Sequence, residues 1–429
     1  MSRTDASPVA DKLRVQVIDT EEGFDALEPA WNALYNKAGT SPFQTFAWQR
    51  AWWRHYGEPD PRMRLFILAV HREAAAEEST VTAIAPFFTE RRRVAGMLPT
   101  TRIDMIGRRQ SDYLDLLVQP AAAPASLAAL AENLHRVRNR FNVLLLQNVP
   151  DCSPSFSPFL GALGRRGFRV ERGAGEHCLR TTFGQTWEQT EQALPQAARG
   201  KTMRRKMRLL VMRHGAELEF VRDPARLGEG LSDLFALHQR RWTQRGRPGD
   251  YGTAVNTEFF REAAVGLASR GQLVLAFLRL DGRRIAGVCG FRHRDEFHFY
   301  AAGMGDAGEA ARYSPGVGLH LMLMPALFED GVRVYDHLRG AEPYKADLGG
   351  IAVPTWRATA FDGSARLARG VHFVDQLQAA AQRRLDYERQ LLRVLRADPS
   401  RGALDVWQHV RERLRASRAD VTRRLRPRR

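Results

Sequence analysis

The chain has 429 residues, 44% hydrophobic and 26% charged, which suits a protein of two or three packed domains and argues against a disordered or fibrous chain. No run of about 18 apolar residues is present, so no membrane-spanning helix is expected, and the opening MSRTDASPVADK lacks a secretory apolar core. The net charge of +17 invites an anionic partner, but only five residues are lysine, and a skew toward arginine of this kind does not by itself specify nucleic acid.

Residues 1–12 read as disordered. Residues 13–20 alternate as a strand, and 21–37 form an amphipathic helix with Phe24, Leu27, Trp31 and Leu34 on one face. The stretch 42–57, PFQTFAWQRAWWRHYG, predicts a dense aromatic helix around Trp48 and Trp52, serving as core or as a wall of a ligand cleft. Strands are expected at 64–72, 80–93, 101–107 and 113–118. A helix at 123–139, a strand at 142–149, a helix at 155–166 and strand segments over 167–183 follow. Meandering strands interleaved with helices describe an α/β or α+β layer fold.

Residues 195–215 differ in kind. Between Arg199 and Arg213 there are seven basic residues and no acid, and Met203, Met207, Leu210 and Val211 fall at helical spacing. This is a basic bridging helix, either a solvated face or a docking surface for something anionic. Beyond it the order of elements repeats. A strand at 216–222, helices at 228–246 and 256–271, and a hairpin 272–280/283–294 through Asp281-Gly282 are followed by a strand at 296–305. A helix opening on Tyr313-Ser314-Pro315-Gly316-Val317-Gly318 comes next, then a strand at 333–340, a loop over Glu342–Lys345 and a last strand near 354–362. The similar order in the two halves suggests an internal duplication. Residues 366–429 read as a helical, arginine-rich extension that carries 17 Arg, no Lys and 7 acidic residues. It is either a solvated appendage or an arm for membrane phosphates or a partner. Cys152, Cys178 and Cys289 are scattered without zinc spacing, so a reducing, cytoplasmic setting and no metal are expected.

The hairpin, Tyr313-Ser314-Pro315-Gly316, Asp336, Arg339-Gly340, Glu342, Tyr344-Lys345 and Leu348-Gly349 together resemble the acyltransferase domain of the GNAT superfamily, in its CelD-like branch related to FemAB proteins. The resemblance spans most of 13–365. It implies two tandem GNAT-like domains with mixed, mainly antiparallel sheets, at 13–194 and 216–365, joined by the basic helix 195–215. It also implies acetyl-CoA or another acyl-CoA as donor, with its pyrophosphate on the helix start formed by Arg312, Tyr313, Ser314, Gly316, Val317 and Gly318. A helix N-terminus leaves N–H donors unpaired and carries partial positive charge, and glycine allows a close backbone approach. The usual superfamily loop has Arg or Gln where Tyr313 stands, with Arg312 adjacent.

Acyl transfer to an amine needs a base for the ammonium, a polarised carbonyl and an acid for the leaving thiolate. Asp336 and Glu342 are the candidate bases and Tyr344 the candidate acid. Lys345, a lysine in a chain that prefers arginine, is a candidate for contacting a substrate carboxylate or phosphate. Arg339, Arg241, Trp242, His298 and Tyr300 are candidate substrate-binding residues; a structural ion-pair network is the alternative for the charged ones. Three functions follow. One is an N-acyltransferase for an amino sugar or an envelope or exopolysaccharide precursor. Another is a FemAB-like transferase that takes its donor from aminoacyl-tRNA. The third is a non-catalytic accessory of polysaccharide synthesis, held at an anionic membrane or by synthesis proteins through the basic helix and tail.

Overall fold

The structure is a computed structural model that describes residues 12–364 apart from 75–76, 95–97, 244–248 and 341, together with residue 370. The expectations for residues 1–11 and for the arginine-rich extension from 366 therefore lie outside the described residues, residue 370 apart.

Strand β1, Lys12–Ile18, leads through Thr20, whose hydroxyl caps the next turn, into two helices, α1 at Glu21–Ala26 and α2 at Glu28–Ala38. The sequence suggested one helix here; Pro29 in the first turn of α2 accounts for the break at Leu27. The aromatic stretch is likewise divided into a 3-10 turn at Pro42–Gln44, helix α3 at Phe46–Trp52 and a π-type turn at Trp53–Gly57. Trp48 and Trp52 are core residues, 0% and 2% exposed.

The strands expected at 64–72 and 80–93 each prove to be two. β2 (Met63–Leu65) and β3 (Ile67–Ala74) separate at Phe66; β4 (Glu77–Ala85) and β5 (Phe87–Val94) separate at Pro86. At both points the chain passes from one sheet to another. Then come β6 (Leu98–Met105), a short β7 (Leu117–Val118), α4 (Ala123–Arg136), β8 (Val143–Pro150), α5 (Phe156–Arg165) and the long β9 (Phe168–Thr182). Helices α6 (Trp187–Ala193) and α7 (Gln196–Arg199) precede the basic helix α8 (Lys201–His214), which ends on Gly215 in the left-handed region. The chain continues through β10 (Glu217–Phe220), α9 (Leu227–Thr243), α10 (Ala254–Ser269), β11 (Leu273–Leu280), β12 (Arg283–His293) and β13 (Glu296–Met304). It closes with α11 (Pro315–Glu329), β14 (Val334–Arg339), α12 (Pro343–Asp347) and β15 (Ile351–Asp362).

The fold is mixed α/β with mainly antiparallel pairing. A four-stranded sheet runs β1-β3-β4-β7, and an eleven-stranded sheet runs β10-β11-β12-β13-β14-β9-β15-β8-β6-β5-β2. Among the described residues of the larger sheet only β13/β14 and β6/β8 pair in parallel, and each parallel pair is short. From one end the parallel step follows four antiparallel strands, β10 to β13, and from the other it follows three, β2, β5 and β6. The two ends are also interlocked. β9, from the first half, pairs with β14, while β15, from the second, pairs with β8, and β9 and β15 pair with each other. Helices α1–α3 pack into the same apolar core as α9 and α10, with the Trp48 ring 5.0 Å from Phe259 and 5.4 Å from Phe291. No described helix is long and apolar enough to cross a membrane.

Candidate active site

β13 and β14 are hydrogen-bonded in parallel for only three residue pairs, Glu296↔Val334, Phe297↔Tyr335 and His298↔Asp336. Beyond them the strands diverge, because each carries an irregularity. In β13 the register against β12 steps from Gly290↔Phe299 to Cys289↔Ala301, so Tyr300 is an extra, bulged residue. In β14 the register against β9 slips between Asp336 and Arg339, with Leu338 at φ 57°. A leucine in the left-handed region is costly and needs outside support. Asp336 supplies it: Oδ1 accepts the Leu338 N–H at 2.8 Å.

The opening between the strands is a cleft of about 480 Å³. Phe299–Ala302 line it from one side and His337–Arg339 from the other; α9 contributes His238, Arg241 and Trp242, and the turn after β14 contributes Glu342, Tyr344 and Lys345. The first half of the chain reaches in as well, through Tyr56 and through Arg109, Gln110 and Asp112 of the loop after β6. That loop is fastened to the second half. Asp112 pairs with the Arg339 guanidinium, Arg339 Nη2 donates to Arg109 O at 3.2 Å, and Tyr300 Oη donates to Gln110 O at 3.0 Å.

The structure thus gathers Arg241, Trp242, Tyr300, Arg339, Glu342, Tyr344 and Lys345 around one opening. Glu342 is half-exposed and its Oε2 lies 3.0 Å from Lys345 Nζ; the lysine, with only 5% of its side chain exposed, also donates to Arg339 O at 2.5 Å. Gly340, at φ 113°, makes this turn possible, since a Cβ there would lie 2.4 Å from Glu342 Oε2. Tyr344 stacks on His320 at 5.7 Å, and burial raises its phenol pKa, so it carries its proton at neutral pH.

Asp336 and His298 sit elsewhere, beneath the cleft. Asp336 is 0% exposed; Tyr113 Oη donates to its Oδ2 at 2.7 Å, and Arg180 Nε lies 2.9 Å from the same oxygen. Burial pushes its carboxyl up to about 6. Glu296, His298 and Asp336 place ligand-type atoms within 4.8 Å of one another, as a metal site would. The Arg180 guanidinium pairs with both carboxylates, so the positive charge of this cluster is already provided.

The start of α11 forms a separate surface. Among the described residues, Arg312–Gly318 contributes nothing to the cleft lining. Tyr313 is buried against His214, with ring centroids 5.5 Å apart, and Arg312 lies over the Tyr313 ring at 5.0 Å and 3.7 Å from Glu309. Ser314 takes the left-handed conformation and its Oγ accepts from Lys206 Nζ of α8 at 3.0 Å. A Cβ on Gly318 would meet Leu210 and Met207 of α8 at 3.1 and 3.2 Å, so this glycine answers to helix packing. Gly316 and Val317 remain half-exposed at the helix start. The cation beside this turn comes from Lys206, in the basic helix that the sequence singled out for other reasons.

Arg109, Gln110, Asp112, His238, Tyr251 and His337 line the cleft without having been singled out in the sequence, whereas Tyr56 belongs to the aromatic stretch 42–57 that was read as core or as a cleft wall. Of the former, only Arg109 and Asp112 left a trace in the sequence, as charges in the loop following a strand.

Residues 197–346 match the family described as the acetyltransferase (GNAT) domain. Among solved structures, the chain is similar to FemX, at 12% identity over 80% of this chain and 96% of that one, with a TM-score of 0.55. It is also similar to L-PGS from Bacillus licheniformis (11%, 81% and 95%, TM-score 0.46) and to a tandem GNAT protein from the clavulanic acid biosynthesis pathway (14%, 82% and 100%, TM-score 0.39). No curated protein matches the chain in sequence. A parallel pair that opens into a lined cleft, the matched stretch and the FemX likeness agree: residues 197–346 are similar to the acetyltransferase (GNAT) domain, and the chain has a FemX-like fold.

Proposed function

We propose that the protein is an N-acyltransferase that moves an acyl group from an acyl-CoA thioester, acetyl-CoA in the simplest case, to an amine. The observation that carries this reading is the divergence of β13 from β14, which exposes strand backbone along a cleft of about 480 Å³ for an extended donor arm. In the step itself, the amine nitrogen attacks the thioester carbonyl, the C–N bond forms and the C–S bond breaks. Glu342 takes the proton lost by the ammonium, directly or through water. Tyr344 gives its proton to the departing thiolate and regains one from the newly acylated nitrogen, which becomes the neutral amide. Lys345 stands beside Glu342 and holds the turn. Gly316 and Val317 N–H, with Lys206 and Ser314 beside them, are the groups suited to the donor's pyrophosphate.

The acceptor is an amine that also carries negative charge. Arg109 and Arg241 line the cleft and have no ion-pair partner among the described residues, and Tyr56, Trp242 and Tyr251 offer ring faces beside them. An anionic amino sugar, or a precursor of an envelope or exopolysaccharide glycan, has that chemistry, in keeping with the CelD-like resemblance. Work on such precursors fits a cytoplasmic protein that touches the inner membrane through its basic surface.

The test is turnover of acetyl-CoA by the full chain against a panel of amino sugars and their phosphates, with products read by mass. Glu342→Gln is expected to lower turnover by at least about tenfold at pH 7. Full activity in that variant removes Glu342 as the base, and no CoA turnover with any amine removes the reading. A second reading, transfer from aminoacyl-tRNA, is favoured by one observation: Lys201, Arg204, Arg205 and Arg208 of α8 are exposed and unpaired among the described residues, next to the start of α11. Salt-sensitive binding of aminoacyl-tRNA without binding of CoA would select it.

A further inference from the structure

The transfer step does not employ Asp336, which is 0% exposed and does not line the cleft. A buried ion pair adds little net stability, so the carboxylate calls for another account. Its place is the end of a ladder: His298↔Asp336 is the last pair that β13 and β14 form before they part. Its two oxygens have separate tasks. Oδ2 accepts from Tyr113 Oη at 2.7 Å, with Arg180 Nε 2.9 Å away, so the carboxylate is anchored to the first half of the chain and to β9. Oδ1 is left for its own strand, where it accepts the Leu338 N–H at 2.8 Å. A side-chain oxygen of residue i bonded to the N–H of residue i+2 makes an Asx turn, and such a bond competes with a strand ladder for that N–H. On β14 the ladder gives way. Between Asp336↔Arg180 and Arg339↔Cys178, β14 advances three residues and β9 two, and Leu338 takes up the difference at φ 57°. The residues that follow Asp336 here, His337–Arg339, are the ones that line the cleft from this side.

We propose that Asp336 is a positioning residue for acyl transfer: by holding the Leu338 N–H away from the strand ladder, its side chain keeps β14 parted from β13 and presents His337–Arg339 to the donor. It acts through the backbone and touches neither substrate. The inference rests on the reading of the cleft as a transfer site. A left-handed leucine is unfavourable on its own, and glycine is not, so the service Asp336 renders is one that glycine at 338 would not need.

The test is calorimetric titration of the full chain with acetyl-CoA, alongside thermal melts of the same preparations. Asp336→Ala is expected to weaken binding by about tenfold, the equivalent of about one hydrogen bond. In a chain that already carries Leu338→Gly, the same substitution costs less than about threefold, because the turn no longer needs its support. The melting temperature falls on Asp336→Ala in both backgrounds, since Arg180 loses a carboxylate in each. A merely structural role would make binding follow the melting temperature. Tyr113→Phe checks this separately, and it serves even where Asp336→Ala does not fold. It removes one anchor of Oδ2 and leaves the bond to Leu338, so it lowers the melting temperature while binding stays within about threefold of wild type. Equal binding by wild type and Asp336→Ala overturns the positioning role and leaves the transferase reading standing. A tenfold loss that persists alongside Leu338→Gly, or that appears in Tyr113→Phe, overturns it as well. No binding of acetyl-CoA by the wild-type chain overturns the transfer reading itself, and this inference with it.

Discussion

At the scale of single residues, the turn after β14 concentrates its charge on Lys345. Its stem is buried, and its ammonium spans Arg339 O at 2.5 Å and Glu342 Oε2 at 3.0 Å. Arginine, which the chain prefers elsewhere, is longer and presents a planar fork instead of a compact point charge. Lys345→Met keeps the methylene stem and removes the charge, so the Arg339 carbonyl and Glu342 lose their partner. The expected result is a stability loss of about 1–3 kcal/mol and a fall in turnover of at least about tenfold, read by thermal melts and steady-state rates on the same preparation. Wild-type turnover at reduced stability would make Lys345 structural only. This turn was legible in the sequence, since R-G-x-E-x-Y-K is local and a lysine is rare in this chain. The role of Asp336 was not. It depends on Tyr113 and Arg180, the first of which lies 223 residues away, and no spacing rule reaches that far.

At the scale of elements, the cleft is as wide as α9 allows. That helix lies against β13 at Gly303, where an added Cβ would sit 2.5 Å from His238 N and 2.6 Å from Leu237 Cβ. The first of these is backbone, which no rotamer change can move aside. Gly303→Ala therefore displaces α9, and with it His238, Arg241 and Trp242. Overpacking of this kind costs about 1–3 kcal/mol, and KM for the cleft's ligands should rise several-fold more than kcat falls. An unchanged KM in a folded variant would mean that α9 does not position the ligand. Most elements could be read from periodicity, including β11–β14 and the basic helix. Two of the misreadings share a cause. The stretches 64–72 and 80–93 look like single strands because an apolar run continues across Phe66 and Pro86, yet at those residues the chain changes sheets, and sheet membership leaves no mark on such a run. The turn at Glu342–Lys345 was read as loop and is largely a short helix, with Pro343 at its first position.

For the whole molecule, the exchange of β9 and β15 means that neither half completes its sheet alone. The described part should therefore lose its structure in one cooperative step, and acid should drive that step. Burial depresses the pKa of four imidazoles from an ordinary value near 6.5: to about 4 for His238 and His293, and to about 3 for His320 and His337. Burial also holds His298 well below the ordinary value. Below pH 6.5 the unfolded chain takes up protons on these rings that the folded chain refuses. The stability present above pH 6.5 is then lost progressively as pH falls toward 4, by about 1.4 kcal/mol per pH unit for each net proton. Two carboxyls act in the opposite sense. Asp115 and Asp336 are pushed up to about 6, so between pH 6 and 4 the folded chain binds two protons that the unfolded chain does not. Five imidazoles against two carboxyls leave a net uptake on unfolding. The urea midpoint should accordingly drop between pH 7 and pH 5, and a midpoint that stays level or rises over that interval would contradict the buried, neutral state of these rings. His320→Phe isolates one contribution: by removing a proton-binding site from the unfolded chain, it should flatten the dependence by up to about one proton's worth per pH unit.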